Sequence, residues 1–189
     1  MPTADPGAAY KDPRAEWNVE WKTVAWEYYW RVHGHYKAVE EYLWMHVLDV
    51  GCGPGFLAAR CYPNIGWYTG VDISPQAIEI AKSLFPGAHF QVVDVEHEKL
   101  PFGDGQFETV VCSETLEHIT DHTLILSELK RVSNTYIVIT VPWSMGGCGH
   151  VYPRWEWADI QAKFSPLGKI LEIRWQSEQN FWLVYIRKQ

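Results

Sequence analysis

The chain has 189 residues, a formal net charge of −7, 47% hydrophobic and 21% charged residues. That length suits one domain, and the composition excludes a disordered or fibrous chain. The acidic balance weighs against non-specific nucleic-acid binding, which needs a basic face, and no apolar run approaches the ~20 residues that span a bilayer.

Residues 1–14, MPTADPGAAYKDPR, lack the apolar core of a secretion signal and read as a loose tail. Five of the eleven tryptophans fall between positions 17 and 44. Residues 15–42 read as helical, because Trp17 and Trp21, then Trp26 and Trp30, are four apart and stack in pairs on helix faces. Gly34 is expected to divide this region, so that 15–44 forms N-terminal aromatic helices.

Strands and helices then alternate. Residues 46–50 form an apolar strand and 56–61 a short helix. A second strand, 66–71, runs into Asp72. Ser74 and Pro75 then supply an N-cap and a first-turn proline for a helix to about Leu84. The third strand, 89–93, ends at Asp94, and the fourth covers 107–112 with helical material to about Val132. The fifth, 136–141, is rich in β-branched residues and closed by Pro142. Residues 155–164 read as helix, and 169–175 and 180–187 lie close enough to pair as an antiparallel hairpin. Strands separated by helix-length segments predict a doubly wound, Rossmann-like α/β fold. Its seven-stranded sheet is mostly parallel, with an antiparallel C-terminal hairpin and helices on both faces.

The four cysteines (Cys52, Cys61, Cys112 and Cys148) lack the paired spacing of a zinc or redox site. They read as reduced thiols of a cytoplasmic protein, with Cys112 a small core residue.

In a doubly wound sheet, ligands bind at the carboxyl ends of the strands. The stretch VLDVGCGPG at 47–55 has three glycines in five residues, which calls for close approach of another group to the backbone. A pyrophosphate site would place a third glycine at position 56, which is Phe, and no basic residue stands in the turn. A ligand with a single carboxylate suits the turn better, met by backbone N–H groups and the helix dipole. Asp72, at the end of the second strand, can accept from both hydroxyls of a ribose, which favours an adenosine-type ligand. Each of these residues also has a plainer use. The glycines allow tight strand–helix packing, and Asp72 can cap the following turn.

VLDVGCGPG, GVDIS, FQVVDVEHEKLPFGDGQFETVVCSETLEHI and LSELKRVSNTYIVITVP resemble, in order, the motifs of class I S-adenosylmethionine-dependent methyltransferases. The likeness is strongest to the small-molecule group with an LPF-x-D-x-x-F segment before the fourth strand, and covers about residues 42–142. It implies a methyl transfer to oxygen, nitrogen or carbon of a small-molecule acceptor. Residues 45–142 would form the cofactor core, and 143–189 an acceptor-side loop, helix and hairpin. By the resemblance, Asp49, Gly51, Cys52, Gly53 and Gly55 would wrap the methionine part of the cofactor. Asp72 would hold the ribose with Ile73 on the adenine face. Asp94 would take the adenine amino group beside Val95, and Ser113 would lie near the sulfonium. Six positions separate Asp94 from Leu100, about two more than the usual pattern, which leaves Asp94 and Glu96 as alternatives for the adenine contact.

No residue announces itself as a base; the candidates are Glu114, His118 and His150. On a helix, Glu114, Glu117 and His118 would share a face and could hold a divalent ion. The stretch resembles the metal site of quinone-biosynthesis O-methyltransferases and of small-RNA terminal 2′-O-methyltransferases, with His150 as a further ligand. The same LEH sequence is widespread in this group without a metal, so a structural role for Glu117 is the reading favoured over the ion. His118 and His122 at i, i+4 read as a solvated helix face. Tyr28, Tyr29, Trp143, His150 and Tyr152 are the candidates for binding the acceptor, with core packing as their plainer use. Two alternatives stand beside the small-molecule enzyme. One is a metal-assisted RNA 2′-O-methyltransferase whose groove would be lined by Arg131, Arg154, Lys163 and Lys169; the other is a non-catalytic cofactor-binding module.

Overall fold

The computed structural model describes residues 35–61, 67–143, 150–151, 154–177 and 180–189. The expected helices over 15–34, with Tyr28, Tyr29 and Gly34, lie outside the described residues, as do Tyr152 and Cys148.

Seven strands form one sheet in the order β3-β2-β1-β4-β5-β7-β6. They are β1 (His46–Val50), β2 (Trp67–Asp72), β3 (His89–Val92), β4 (Phe107–Ser113), β5 (Ser133–Pro142), β6 (Lys169–Gln176) and β7 (Phe181–Arg187). β1 pairs in parallel with both β2 and β4, so the chain reverses its direction of winding between those two neighbours. β7 inserts antiparallel between β5 and β6. The helices are α1 (His35–Glu40), α2 (Phe56–Cys61), α3 (Pro75–Leu84), α4 (His122–Val132) and α5 (Trp157–Phe164).

The pleat of β1 distributes the core. Val47 packs on one face with Tyr68, Val111 and Val138, under Val39 of α1, Leu57 of α2 and Ile78 of α3. Leu48 and Val50 face the other way, with Ile125 and Leu129 of α4 and Ile160 and Phe164 of α5. Helices thus cover both faces, and the central strands read as nearly continuous apolar runs. The caps act as their residue types require. Ser74 Oγ accepts from Ala77 N at 3.1 Å, and Asp121 Oδ1 from Thr123 N at 2.9 Å.

β5 begins three residues before its expected start, because Ser133 pairs with Phe107 directly after α4. The LPF segment just before β4 is held by a clamp. Arg131 donates to Leu100 O (2.9 Å), Phe102 O (2.7 Å), Asp104 and Glu128, while Glu128 accepts from Leu100 N at 2.8 Å. Phe102 meets Phe107 edge-on at 4.9 Å. This arrangement delivers β4, and the residues after it, to the centre of the sheet.

Candidate active site

The carboxyl ends of β1, β2 and β4 converge at the winding reversal, where an open α/β sheet leaves a crevice. The turn after β1 has Gly51, Gly53 and Gly55 at φ of 77°, 53° and 90°, all in the left-handed region. The close approach that the glycines imply is met by protein on two sides. A Cβ on Gly51 would overlap the Thr115 side chain, and one on Gly55 would press into the Phe85 ring. The turn's amides are also engaged. Gly51 and Cys52 donate to Val71 O, which extends the β1–β2 ladder, Gly53 donates to Asp72 Oδ2, and Gly55 to Cys52 O. Each of these four N–H groups has a protein acceptor, which fixes the shape of the turn.

Asp72 ends β2 and is largely buried. Its Oδ2 accepts from Gly53 N at 2.9 Å and its Oδ1 from Ser74 N at 2.8 Å. Burial pushes its carboxyl up while the two amides pull it down. Each oxygen keeps a further lone pair, so two amides aim a pair of acceptors at the crevice. Asp49 is only 1% exposed and takes the Tyr68 hydroxyl; burial holds its carboxyl at about 7. Tyr68 was not singled out in the sequence, although its place one strand over, in parallel register beside Val47 and on the same face as Asp49, puts it within reach.

Asp94 follows β3 and is also buried. Its Oδ1 accepts from Glu96 N (3.3 Å) and meets His97 Nδ1 at 3.1 Å, while its carbonyl accepts from His97 N and Glu98 N. Glu96 is engaged elsewhere, with Oε1 on Thr120 N at 2.9 Å. Ile73 and Val95 are half-buried beside the two aspartates, Val95 against the core.

Beyond β4, Ser113 is buried with Oγ 2.8 Å from Thr140 Oγ1. Thr115 donates to Val50 O and Ser113 O through one hydroxyl, tying this loop to the β1 turn. The expectation that Glu114, Glu117 and His118 ride one helix face is corrected. Glu114 has φ 51°, and Leu116–His118 is a single 3₁₀ turn. Glu114 N–H is shared between Thr140 O (3.1 Å) and Thr140 Oγ1 (3.2 Å), which holds the residue out of any helix. A non-glycine in this region is sparsely populated and sits preferentially at functional sites.

Convergence is reached by another route. Val151 N donates to Glu117 O at 2.8 Å and brings His150 back over the turn, where its ring meets His118 edge-on at 4.8 Å. Ligand atoms of Glu117, His118 and His150 lie within 4.8 Å of one another. Glu117 is 1% exposed, and Glu117 Oε2, Glu114 Oε1 and His150 Nδ1 are buried with no hydrogen-bond partner among the described residues. Burial pushes both carboxyls up, and Glu114 raises Glu117 further; burial pushes the His150 imidazole down.

His122 is not on a solvated face with His118. Asp121 starts a new helix at His122, whose ring stacks on Trp155 and is buried. His122 Nε2 lies 2.7 Å from Leu116 O, and Lys163 Nζ lies 2.7 Å from Nδ1, so the ring braces the 3₁₀ turn from behind. Lys163 and Arg131 are thereby occupied inside the protein, and Arg154 lies over Trp143 with an ion pair to Glu156. Lys169, the fourth of these cations, is exposed at the start of β6. Trp143 packs on Trp175, which packs on Trp182.

Residues 48–135 match the family model described as a methyltransferase domain. The match spans just under half of the 189-residue chain, and the strand order above is the fold that the solved methyltransferases below share. The chain is 37% identical over 97 residues to an O-methyltransferase, cnsE, of Penicillium expansum, covering 46% of this chain and 33% of that protein. It spans between a third and about half of the length of the curated relatives it matches. Among solved structures, a SAM-dependent methyltransferase from Aquifex aeolicus superposes with a TM-score of 0.74 at 17% identity, over 91% of this chain and 98% of that one. Magnesium protoporphyrin IX methyltransferase of Synechocystis, solved with bound SAH, gives 0.72 at 18% identity, over 94% and 98%. At such identities the methyltransferase structures share the fold. No helix of the described residues is long and apolar enough to cross a membrane.

Proposed function

We propose that the domain transfers a methyl group from S-adenosylmethionine to a small-molecule acceptor. The observation that carries this reading is the Asp72 carboxylate, held by the Gly53 and Ser74 amides at the end of β2 and beside the glycine turn. The residues fit the cofactor, since two fixed acceptors at that place match the two hydroxyls of a ribose. S-adenosylmethionine supplies a methyl group already activated by its positive sulfonium, so the protein's share is largely positioning.

In this reading Asp72 holds the ribose, and Ile73 and Val95 flank the adenine. Asp94 takes the adenine amino group, the choice over Glu96 resting on Glu96's bond to Thr120. Gly51, Cys52, Gly53 and Gly55 bring the backbone close to the methionine part. Asp49 acts through Tyr68 beneath them, and Ser113 stands at the methyl-donor end, oriented by Thr140. Residues 45–142 hold the donor and 143–189 serve the acceptor, with Trp143 and His150 as its nearest described side chains. Three buried free cysteines suit a reducing, cytoplasmic setting.

Calorimetry with S-adenosylhomocysteine tests the reading. Saturable binding that Asp72→Asn weakens is the expected result. Absence of binding, together with uptake of a nicotinamide dinucleotide, would reject it.

A further inference from the structure

We propose that Glu117, His118 and His150 form a site for a divalent first-row metal ion, with the Glu114 carboxyl beside it. The argument begins with cost. Burying a carboxylate without a hydrogen bond costs several kcal/mol. This turn keeps two buried carboxyls together, each with an oxygen that has no partner among the described residues, and adds a His150 nitrogen in the same state. Glu114 also sits in a backbone region that costs about 1–3 kcal/mol for a residue with a side chain. Strain and desolvation therefore coincide at one point, and a cation relieves the desolvation.

The geometry agrees. Ions of this class bind nitrogen and oxygen at about 2.0–2.2 Å, which puts ligand atoms roughly 3–4 Å apart. The three residues offer atoms within 4.8 Å of one another, so a shift of about 1 Å closes the set. The scaffold is in place before any ion arrives, because the Val151 N–H to Glu117 O bond holds His150 over the turn and His122 braces Leu116. This reverses the reading that favoured a structural role for Glu117, whose Oε2 braces nothing among the described residues.

One carboxylate and two imidazoles are the donors of borderline ions such as Mn²⁺, Fe²⁺, Co²⁺ and Zn²⁺, and three protein ligands leave coordination positions open. An open position beside the donor end suits an oxygen of the acceptor and narrows the transferred methyl to O-methylation. That narrowing rests on the methyltransferase reading, whereas the ion site does not.

The test is titration of the full chain with Co²⁺, followed by visible absorption and calorimetry, without any methyl donor. One equivalent should bind to the wild type. Glu117→Gln and His150→Gln should each weaken binding at least tenfold, whereas Glu79→Gln, on the exposed side of α3, should bind as wild type. His150 lies on a half-exposed loop segment, so its variant folds even if Glu117→Gln does not; thermal melts check both. Absence of stoichiometric uptake by the wild type, or wild-type affinity in both site variants, overturns the proposal. A parallel titration with S-adenosylhomocysteine separates the two readings, since a chain that takes up Co²⁺ but not the nucleoside would keep the ion site and lose the methyltransferase function.

Discussion

Asp72 at the end of β2 and Glu117 past the end of β4 are both buried carboxylates at the same end of the sheet, yet their oxygens are treated differently. Asp72 takes one backbone amide on each oxygen, while Glu117 Oε2 has no partner among the described residues. The first arrangement is finished before a ligand comes and offers directed lone pairs to neutral hydroxyls. The second keeps a buried oxygen unpaired beside the His118 and His150 rings, an arrangement that suits a cation. In the proposed reading the donor side, at the end of β2, offers oriented acceptors, and the turn beyond β4 an unpaired carboxyl oxygen.

The largest expected effect breaks the donor side alone. Asp72→Ala removes acceptors for two charge-assisted hydrogen bonds, together worth about 3 kcal/mol or more, so affinity for S-adenosylhomocysteine should fall at least about 100-fold. Co²⁺ affinity in the same protein should stay within about threefold of wild type, as no ligand atom of the ion site touches Asp72. Parallel loss of both would erase the distinction between the sites.

Asp49 offers a pH test of the donor side. Its carboxyl stands at about 7 in the folded protein, above its ordinary value of 3.8, because burial disfavours the charged form. A group raised in this way contributes stability that is fully present below its unfolded value and lost as pH rises through the folded one. Between pH 5 and 7 the loss should be about 2 kcal/mol at most. Asp49→Asn should flatten the dependence of Tm on pH over that window. An unchanged slope would mean that Tyr68 keeps Asp49 ionised throughout.

A stability measurement sharpens the contrast. Glu117→Met replaces a buried, incompletely bonded carboxylate by an apolar chain of similar length, and should stabilise the metal-free protein by about 1–3 kcal/mol. Asp72→Leu should destabilise it, since the Gly53 and Ser74 amides lose their acceptors. Melting both variants with chelator present reads the two signs. A lower Tm for Glu117→Met would show that the carboxylate is structurally satisfied. Such a gain in stability bought at a site is the usual mark of a residue kept for function.

Most of the scaffold was legible in the sequence, because it depends on local signals. The Ser74–Pro75 cap starts α3 at the expected residue, and β1, α2 and the hairpin fall where apolar and β-branched runs place them. The misreadings share a non-local cause. Glu114 leaves the helix because Thr140, on the neighbouring strand, takes its amide. His122 is buried by Trp155 and Lys163, which come from more than thirty residues further along. Arg131, named in the sequence only as one of four cations for a groove, clamps Leu100 and Phe102. The glycines were read as making room for a ligand, and Gly51 also makes room for Thr115, which the sequence did not reveal.

Thr115 joins the two sides of the comparison, and it supplies the smallest effect. Its hydroxyl donates to Val50 O at the end of β1 and to Ser113 O at the end of β4, while its side chain fills the space left by Gly51. Thr115→Val keeps the shape and removes only the hydroxyl, so stability should fall by about 1 kcal/mol. If the loop beyond β4 is held to the turn by that hydroxyl, cofactor and ion affinities should weaken together, each by about two- to fivefold. Loss confined to one ligand would show that the two sides are positioned independently and that Thr115 belongs to only one of them. Gly51→Ala should be worse for stability than Thr115→Val, because it adds a left-handed alanine to the steric overlap. A Gly51→Ala, Thr115→Ala double variant, which removes the Thr115 Oγ1 and Cγ2 that the new Cβ would meet, should recover only part of that loss, the backbone cost and the missing hydroxyl remaining.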